Sequence, residues 1–387
     1  GHSAGLRELC AAWPGLSGQP DFKRGSNIAA QVCGNDTPHT IIETVAKLAS
    51  FGKQCKPLAK KAEELAELIA RFDLLVELPP SMAQYTDEWF CKQAFECMRL
   101  ACARARQVDF DDMVYVPIRL GLVRQQYDMV VVDEAQDTNP AALILAHKLM
   151  RQGGRMIMVG DTNQAIYGWR GADSTVLERF AKRADVLTLT ESFRCGRAIV
   201  EFAQKFVPQY KAAPCVSNGL VADCTHDAMM QGVVAGDFIL SRTNAPLVGT
   251  CLALLKAGKK ATIRGRNIAQ EIISRVKRLA RNSQCVDSLC DAVYAWRDKA
   301  IKRCKSDEMI VKIEDEADVI LTLAQDADSV ADVIANLESL FSDSNGAGKI
   351  LLSTIHRAKG LEAPTVYLYA GTLYRGKDQR EERCLHY

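Results

Sequence analysis

Apolar and polar positions follow two rhythms along this chain, and each change of rhythm marks an element. Met129 to Val132 is a continuous apolar run without polar alternation. Such a run predicts a short strand buried on both faces of a parallel sheet. It ends abruptly in Asp133, Glu134 and Asp137, with the amide of Gln136 between them. A second apolar run from Met156 enters another polar loop at Gly160-Asp161, so the same grammar is repeated. Val186 to Thr190 predicts a strand leading into a helix start, Asp237 to Asn244 a strand and loop, and Thr365 to Tyr369 a further strand. Helical spacing occupies Thr40 to Leu78, where Pro79-Pro80 stops it, and then Glu88 to Arg106 and Asn267 to Phe341. Asp109, Asp111 and Asp112 around Phe110 suit a helix N-cap with first-turn acids better than a metal site.

Composition changes this picture little. The 387 residues are long enough for two or more domains with separate cores, a quarter of them are charged, and the net charge is only +2. A nucleic-acid partner would therefore meet a local groove and not a global basic field. No run approaches the ~18 apolar residues of a membrane span, and no charged-then-apolar leader opens the chain. A cytoplasmic protein without a membrane partner is expected. The 14 cysteines contain no C-x-x-C pair. They are expected to be reduced, mostly buried small hydrophobes.

The chemistry is concentrated at Asp133-Glu134. Ligands of open α/β sheets bind at the C-terminal edge of the strands. Two adjacent acids there suit one carboxylate that holds Mg²⁺ and a second that takes a proton from an attacking water. A solvated acidic turn is the plainer alternative.

Taken together, Asp133-Glu134-Ala135-Gln136-Asp137 and Gly160-Asp161-x-x-Gln164-x-Ile166-Tyr167-x-Trp169-Arg170-Gly171-Ala172 resemble motifs II and III of the UvrD/Rep-like superfamily 1 DNA helicases. Other stretches extend the resemblance. His2-Ser3-x-Gly5-x-Arg7 is similar to motif Ib, which meets the DNA backbone, although a Gly-His-Ser start also suits a cloning remnant. The segment around Phe110 resembles an element that packs under the nucleotide site. Glu191-Ser-Phe193-Arg194 resembles motif IV, with Phe193 where the family has Tyr. Arg242 and Asn244 lie in a segment similar to a DNA-touching loop, and Thr354 to Glu362 resembles motif V.

What the resemblance implies is specific. The fold would be α/β, with two RecA-like parallel-sheet motor domains of the P-loop NTPase type. Residues 1–185, with a helical insertion at about 40–106, would form the first, and 186–387, with a short insertion at about 267–341, the second. The activity would be ATP-dependent 3′–5′ translocation on single-stranded DNA with unwinding at a single-strand/duplex junction, in replication, repair or recombination. Asp133 would hold Mg²⁺, Glu134 act as general base, Gln164 sense the γ-phosphate and Arg194 offset its charge. Phe193, Gly360 and Glu362 would contact ATP. His2, Ser3, Tyr167, Trp169, Arg170, Arg242, Asn244, Thr354 and His356 would contact DNA, with Tyr167 and Trp169 as stacking platforms; core packing of those two rings is the alternative.

A G-x-x-x-x-G-K-[ST] phosphate cradle is absent. Its nearest match, Gly371 to Asp378 with Lys377, ends in a carboxylate and stands after motif V. Glu381 to Tyr387 resembles the lead-in to motif VI without its Arg. A fragment covering motifs Ib to V is expected, inactive in hydrolysis by itself. Two rivals remain: a helicase-like subunit that binds a repair or recombination protein, and a non-hydrolysing DNA-binding module. Intact Asp133-Glu134 argues against the second.

Overall fold

The computed structural model describes residues 2–34, 36–72, 74, 82, 84–165, 175–280, 285–302, 304, 307–342 and 348–373. The chain divides into two compact units, Gly1–Thr188 and Leu189–Tyr387. It is a mixed α/β structure whose strand pairings are all parallel among the described residues.

The first unit is mainly helical. Its principal elements are α1 (His2–Ala12), α2 (Arg24–Cys33), α3 (His39–Cys55), α4 (Asp87–Ala101), α5 (Phe110–Arg119), β1 (Tyr127–Val132), α6 (Pro140–Leu149) and β2 (Met150–Met158). The helical pattern from Thr40 breaks at Cys55 and, among the described residues, resumes as a 3-10 turn at Ala62–Leu65 and a short helix, Ala66–Arg71, while residues 75–80 lie outside the described residues. The cause is Pro57, which disfavours helical backbone at Lys56. Asp109 caps α5 as expected: its carboxylate accepts the Asp112 N–H at 2.7 Å, and Asp111 and Asp112 occupy the first turn.

Ile41, Val45 and Leu48 bury one stripe of α3 in a core with Leu9, Phe90 and Met98. A Cβ on Gly5 would stand 1.8 Å from the Met113 carbonyl oxygen, so α1 crosses α5 where only glycine fits. Beside this core Lys53, 4% exposed at its side chain, bridges Asp109 at 3.1 Å and Asp112 at 2.7 Å. Arg24 reaches the other oxygen of Asp112 at 2.8 Å.

β1 departs from expectation. Met129 and Val131 are 53% and 58% exposed, whereas Val130 and Val132 are partly covered. Successive strand residues face opposite sides, and Met129 and Val131 share the more open one. A strand buried on both faces is therefore not what this unit contains.

The strand expected at Val186–Thr190, across the boundary of the two units, does not form; a two-residue strand, β3 (Glu191–Ser192), follows it and pairs with β4 (Lys211–Ala212). Leu187 and Leu189 are at least 90% exposed. β-propensity alone does not make a strand of these residues, because β4 pairs with Glu191–Ser192 and not with them. Beyond lie β5 (Phe238–Ser241), α7 (Ala245–Lys256), β6 (Ala261–Arg264), α8 (Arg266–Ala280), α9 (Val286–Ile301), α10 (Asp307–Ala324), α11 (Val330–Leu340), β7 (Phe341–Ser342), β8 (Ile350–Thr354), α12 (Ile355–Ala358) and β9 (Val366–Leu368).

The sheet order is β7-β6-β8-β5-β9. With every pair parallel, the C-terminal ends of β5, β6 and β8 share one edge. Ile239, Ile263 and Leu352 pack against Leu247, Leu254 and Leu337. The Asn267 to Phe341 stretch is mainly helical among its described residues, as its spacing predicts, with a turn at 325–329 and Phe341 opening β7.

Among the 13 described cysteines only Cys55, Cys91, Cys97 and Cys251 are buried, which corrects the expectation that most would be. No helix among the described residues is long and apolar enough to cross a membrane.

Candidate functional site

β1 delivers Asp133 and Glu134 to a turn in which the Glu134 N–H donates to Asp133 Oδ1 at 2.9 Å. Glu134 is left-handed, with φ 48° and ψ 44°, and is the only non-glycine residue at positive φ among those described. That conformation costs a glutamate about 1–3 kcal/mol, so surrounding contacts must hold it. Gln136, 1% exposed, is central to them. Its Nε2 donates to the Glu134 carboxylate, and its Oε1 accepts the Asp161 N–H at 3.0 Å. The Asp161 carboxylate in turn accepts Asn163 N–H at 2.9 Å and Gln164 Nε2 at 3.1 Å.

The loops after β1 and β2 are also joined by their backbones, Ala135 N–H donating to the Val159 oxygen at 2.9 Å. Glu134 and Gln164 are thus linked through two residues, Gln136 and Asp161, that motif reading did not assign a role. The one signal for them is the glycine before Asp161. A Cβ on Gly160 would meet Gln136 Oε1 at 2.3 Å and Ala135 N at 3.0 Å. Gly160→Ala should therefore destabilise the first unit by about 1–3 kcal/mol, the range for overpacking. Thermal melting checks this; an unchanged midpoint would show that the loop relaxes freely.

Asp133 is exposed, and one of its oxygens is already engaged by the turn. A single such carboxylate fits Mg²⁺, which is commonly held by one or two carboxylates together with waters and phosphate oxygens. No group of three potential metal ligands exists among the described residues.

Further residues meet in the second unit. Arg194 Nε lies 2.7 Å from Glu362, with both side chains at least 60% exposed. A pair this exposed contributes at most ~1 kcal/mol and parts easily for another anion. Phe193 beside it is 71% exposed, a ring open to a flat partner. Gly360 has φ +80° with open space around it, so backbone conformation and not packing favours glycine there.

At the shared sheet edge, Arg242 follows β5 and reaches the His356 ring nitrogens at 3.0 Å. Thr354, the last residue of β8, is 8% exposed. Asn244 is engaged elsewhere: its Nδ2 donates to Asp315 at 2.7 Å.

His2 and Ser3 are exposed at the start of α1. The His2 ring meets Phe110 edge-on at 5.5 Å, and Phe110 meets Phe22 at 5.5 Å. Phe22 is 79% exposed and Phe110 45%, a row of open rings that the acidic context of Phe110 concealed. Tyr167, Trp169, Arg170 and Lys377 lie outside the described residues.

Residues 22–185 match the family model of the UvrD/REP helicase N-terminal domain, a span holding both linked loops. The chain is 26% identical over 255 residues to F-box DNA helicase 1 of Gallus gallus, covering 62% of this chain and 24% of that protein. It is 28% identical over 265 residues to F-box DNA helicase protein 1 of Schizosaccharomyces pombe, covering 63% and 29%. Over 113 residues it is 32% identical to the ATP-dependent DNA helicase PcrA of Bacillus subtilis, covering 26% and 15%. It therefore spans under a third of the length of each of these relatives.

Proposed function

We propose that this chain carries the middle of an ATP-driven DNA helicase core of UvrD type, moving 3′ to 5′ on single-stranded DNA toward a duplex junction. The observation that carries the reading is the hydrogen-bonded path from Glu134 through Gln136 and Asp161 to Gln164. It gives a carboxylate suited to activating water and an amide suited to a phosphate oxygen a shared rigid support.

In this reading Asp133 holds Mg²⁺, which when bound draws charge from the phosphates. Glu134 takes the proton of the attacking water. Gln164 orients toward the γ-phosphate, and Arg194 exchanges Glu362 for phosphate oxygens, its planar fork offsetting developing charge. Phe193 stacks on the base of ATP, with Gly360 and Glu362 lining the same segment. His2, Ser3, Arg242, Thr354 and His356 face DNA, and Asn244 supports that loop. Motor domains bounded at 185/186, a repair or recombination setting and a cytoplasmic location belong to the same proposal.

Trp169 supplies a test. If it is a base platform, Trp169→Ala weakens single-stranded DNA binding by ~1–3 kcal/mol with little sequence preference, and the fold survives. If its ring belongs to the core, the same change costs ~3–5 kcal/mol of stability. Melting and DNA titration at one stated salt concentration separate the two. Large destabilisation with unchanged affinity per folded molecule would count against the platform.

A further inference from the structure

Helix α7 begins without a cap of its own. Its N-cap residue, Asn244, has helical backbone (φ −87°, ψ −30°) and makes no side-chain capping bond. The missing acceptor comes instead from α10, 71 positions away. The Asp315 carboxylate accepts Asn244 N–H at 2.8 Å, Ala245 N–H at 2.7 Å and Asn244 Nδ2 at 2.7 Å. Burial pushes this carboxyl up, and the donors from Asn244 and Ala245 oppose that. Asn244 Oδ1 is buried without a hydrogen-bond partner, a cost accepted by a side chain whose other end is fixed on Asp315.

The support behind Asp315 is equally definite. The next residue, Glu316, pairs with Arg275 of α8 at 3.0 Å, and that guanidinium lies 4.3 Å over the Trp296 ring of α9. Three helices of the 266–324 stretch are therefore tied behind one carboxylate. In front of it stands the loop Arg242-Thr243-Asn244, whose Arg242 meets His356 at the sheet edge.

We propose that Asp315 is a positioning residue, through which the helices of residues 266–324 set the Arg242 side chain for binding nucleic-acid phosphate. The inference rests on the reading of Arg242 as a DNA contact.

Charge gives the test its sign. Removing an acid near a DNA site should strengthen binding if only the field matters; removing a positioning acid should weaken it. The chain is titrated with a labelled single-stranded oligonucleotide over a series of salt concentrations, as wild type, Arg242→Ala, Asp315→Asn and the double variant, below the lowest melting temperature found. Arg242→Ala should weaken binding about tenfold, the size of one charge-assisted hydrogen bond, and reduce the salt slope by about 1. Asp315→Asn should produce a loss of the same order with the same slope change, and the double variant should be no weaker than Arg242→Ala. Asp315→Glu keeps the charge while displacing it by one methylene; it should also weaken binding, and it replaces the Asn variant if that one does not fold.

If Arg242→Ala weakens binding while both Asp315 variants bind as well as wild type per folded molecule, Asp315 is only a structural cap and the inference is overturned. If Arg242→Ala itself leaves affinity and slope unchanged, the DNA reading of the loop fails first.

Discussion

Glu134→Gln should slow ATP hydrolysis by about 10²- to 10⁴-fold, the usual worth of a general base, while leaving nucleotide affinity nearly unchanged. The substitution preserves length and planarity, so the left-handed turn at residue 134 and its contact with Gln136 can persist with the new amide oxygen as acceptor. What disappears is the group able to take a proton from water. The measurement belongs on the full reading frame that encodes these residues, because no G-x-x-x-x-G-K-[ST] cradle stands among the 387. Steady-state turnover and binding of a fluorescent nucleotide are read on the same preparation. An unchanged turnover would remove Glu134 from the chemistry and leave its strained backbone as a structural feature only.

Lys53→Met should destabilise the first unit by about 3–5 kcal/mol at neutral pH, because it leaves Asp109 without its cation and buried Asp112 with Arg24 alone. Lys53 is 4% exposed and lies within 3.1 Å of Asp109 and 2.7 Å of Asp112. Burial would lower its pKa, but Asp112 and Asp109 reverse that and hold it above the ordinary lysine value. The stability Lys53 contributes is thus complete at neutral pH and is lost only as pH rises through its raised folded value.

Burial pushes the Asp109 and Asp111 carboxyls up, opposed by Lys53 and, for Asp111, by the Ser50 hydroxyl. A carboxyl raised on folding contributes stability below its unfolded value and loses it as pH rises through the folded one. Without Lys53 both should rise further, so the deficit of the variant should shrink from pH 7 to pH 4 as the acids become neutral. Melting at the two pH values checks the sign. A deficit that grows toward acid would mean that packing of the lysine stem, and not its charge, is what the variant loses.

Elements with a local cause were legible in the sequence. Asp109 announces α5 because a carboxylate three residues before a free N–H is a short-range arrangement, and β5 and β9 follow their apolar runs closely. The end of α3 before Pro57 has a local cause as well, since a proline disfavours helical backbone at the residue before it. The acid pair at the tip of a strand, and the family resemblance of both linked loops, came from the same kind of signal.

Other features have no local signature. Val131 carries the same side chain whether a helix covers it or not, so composition could not tell that one face of β1 would stay open. Nor does a pattern of apolar positions say that strand pairing would begin only at Glu191 and leave Leu187 and Leu189 exposed. Gln136 reads as one amide in an acidic stretch until folding places Asp161 against it. Asp315 reads as one acid among several on a charged helix until α10 docks on the start of α7.

The sequence by itself determined local helix caps such as Asp109, the acid pair at the tip of β1 and the identity of the groups that carry charge, because those depend on neighbours a few bonds away. Only the tertiary structure decided which groups share a hydrogen-bonded path, which lysine neutralises which acids, and which distant carboxylate holds the loop of Arg242. Those pairings depend on how helices and strands pack, and hydrogen bonds across 71 positions are set by that packing and by nothing in the local chain.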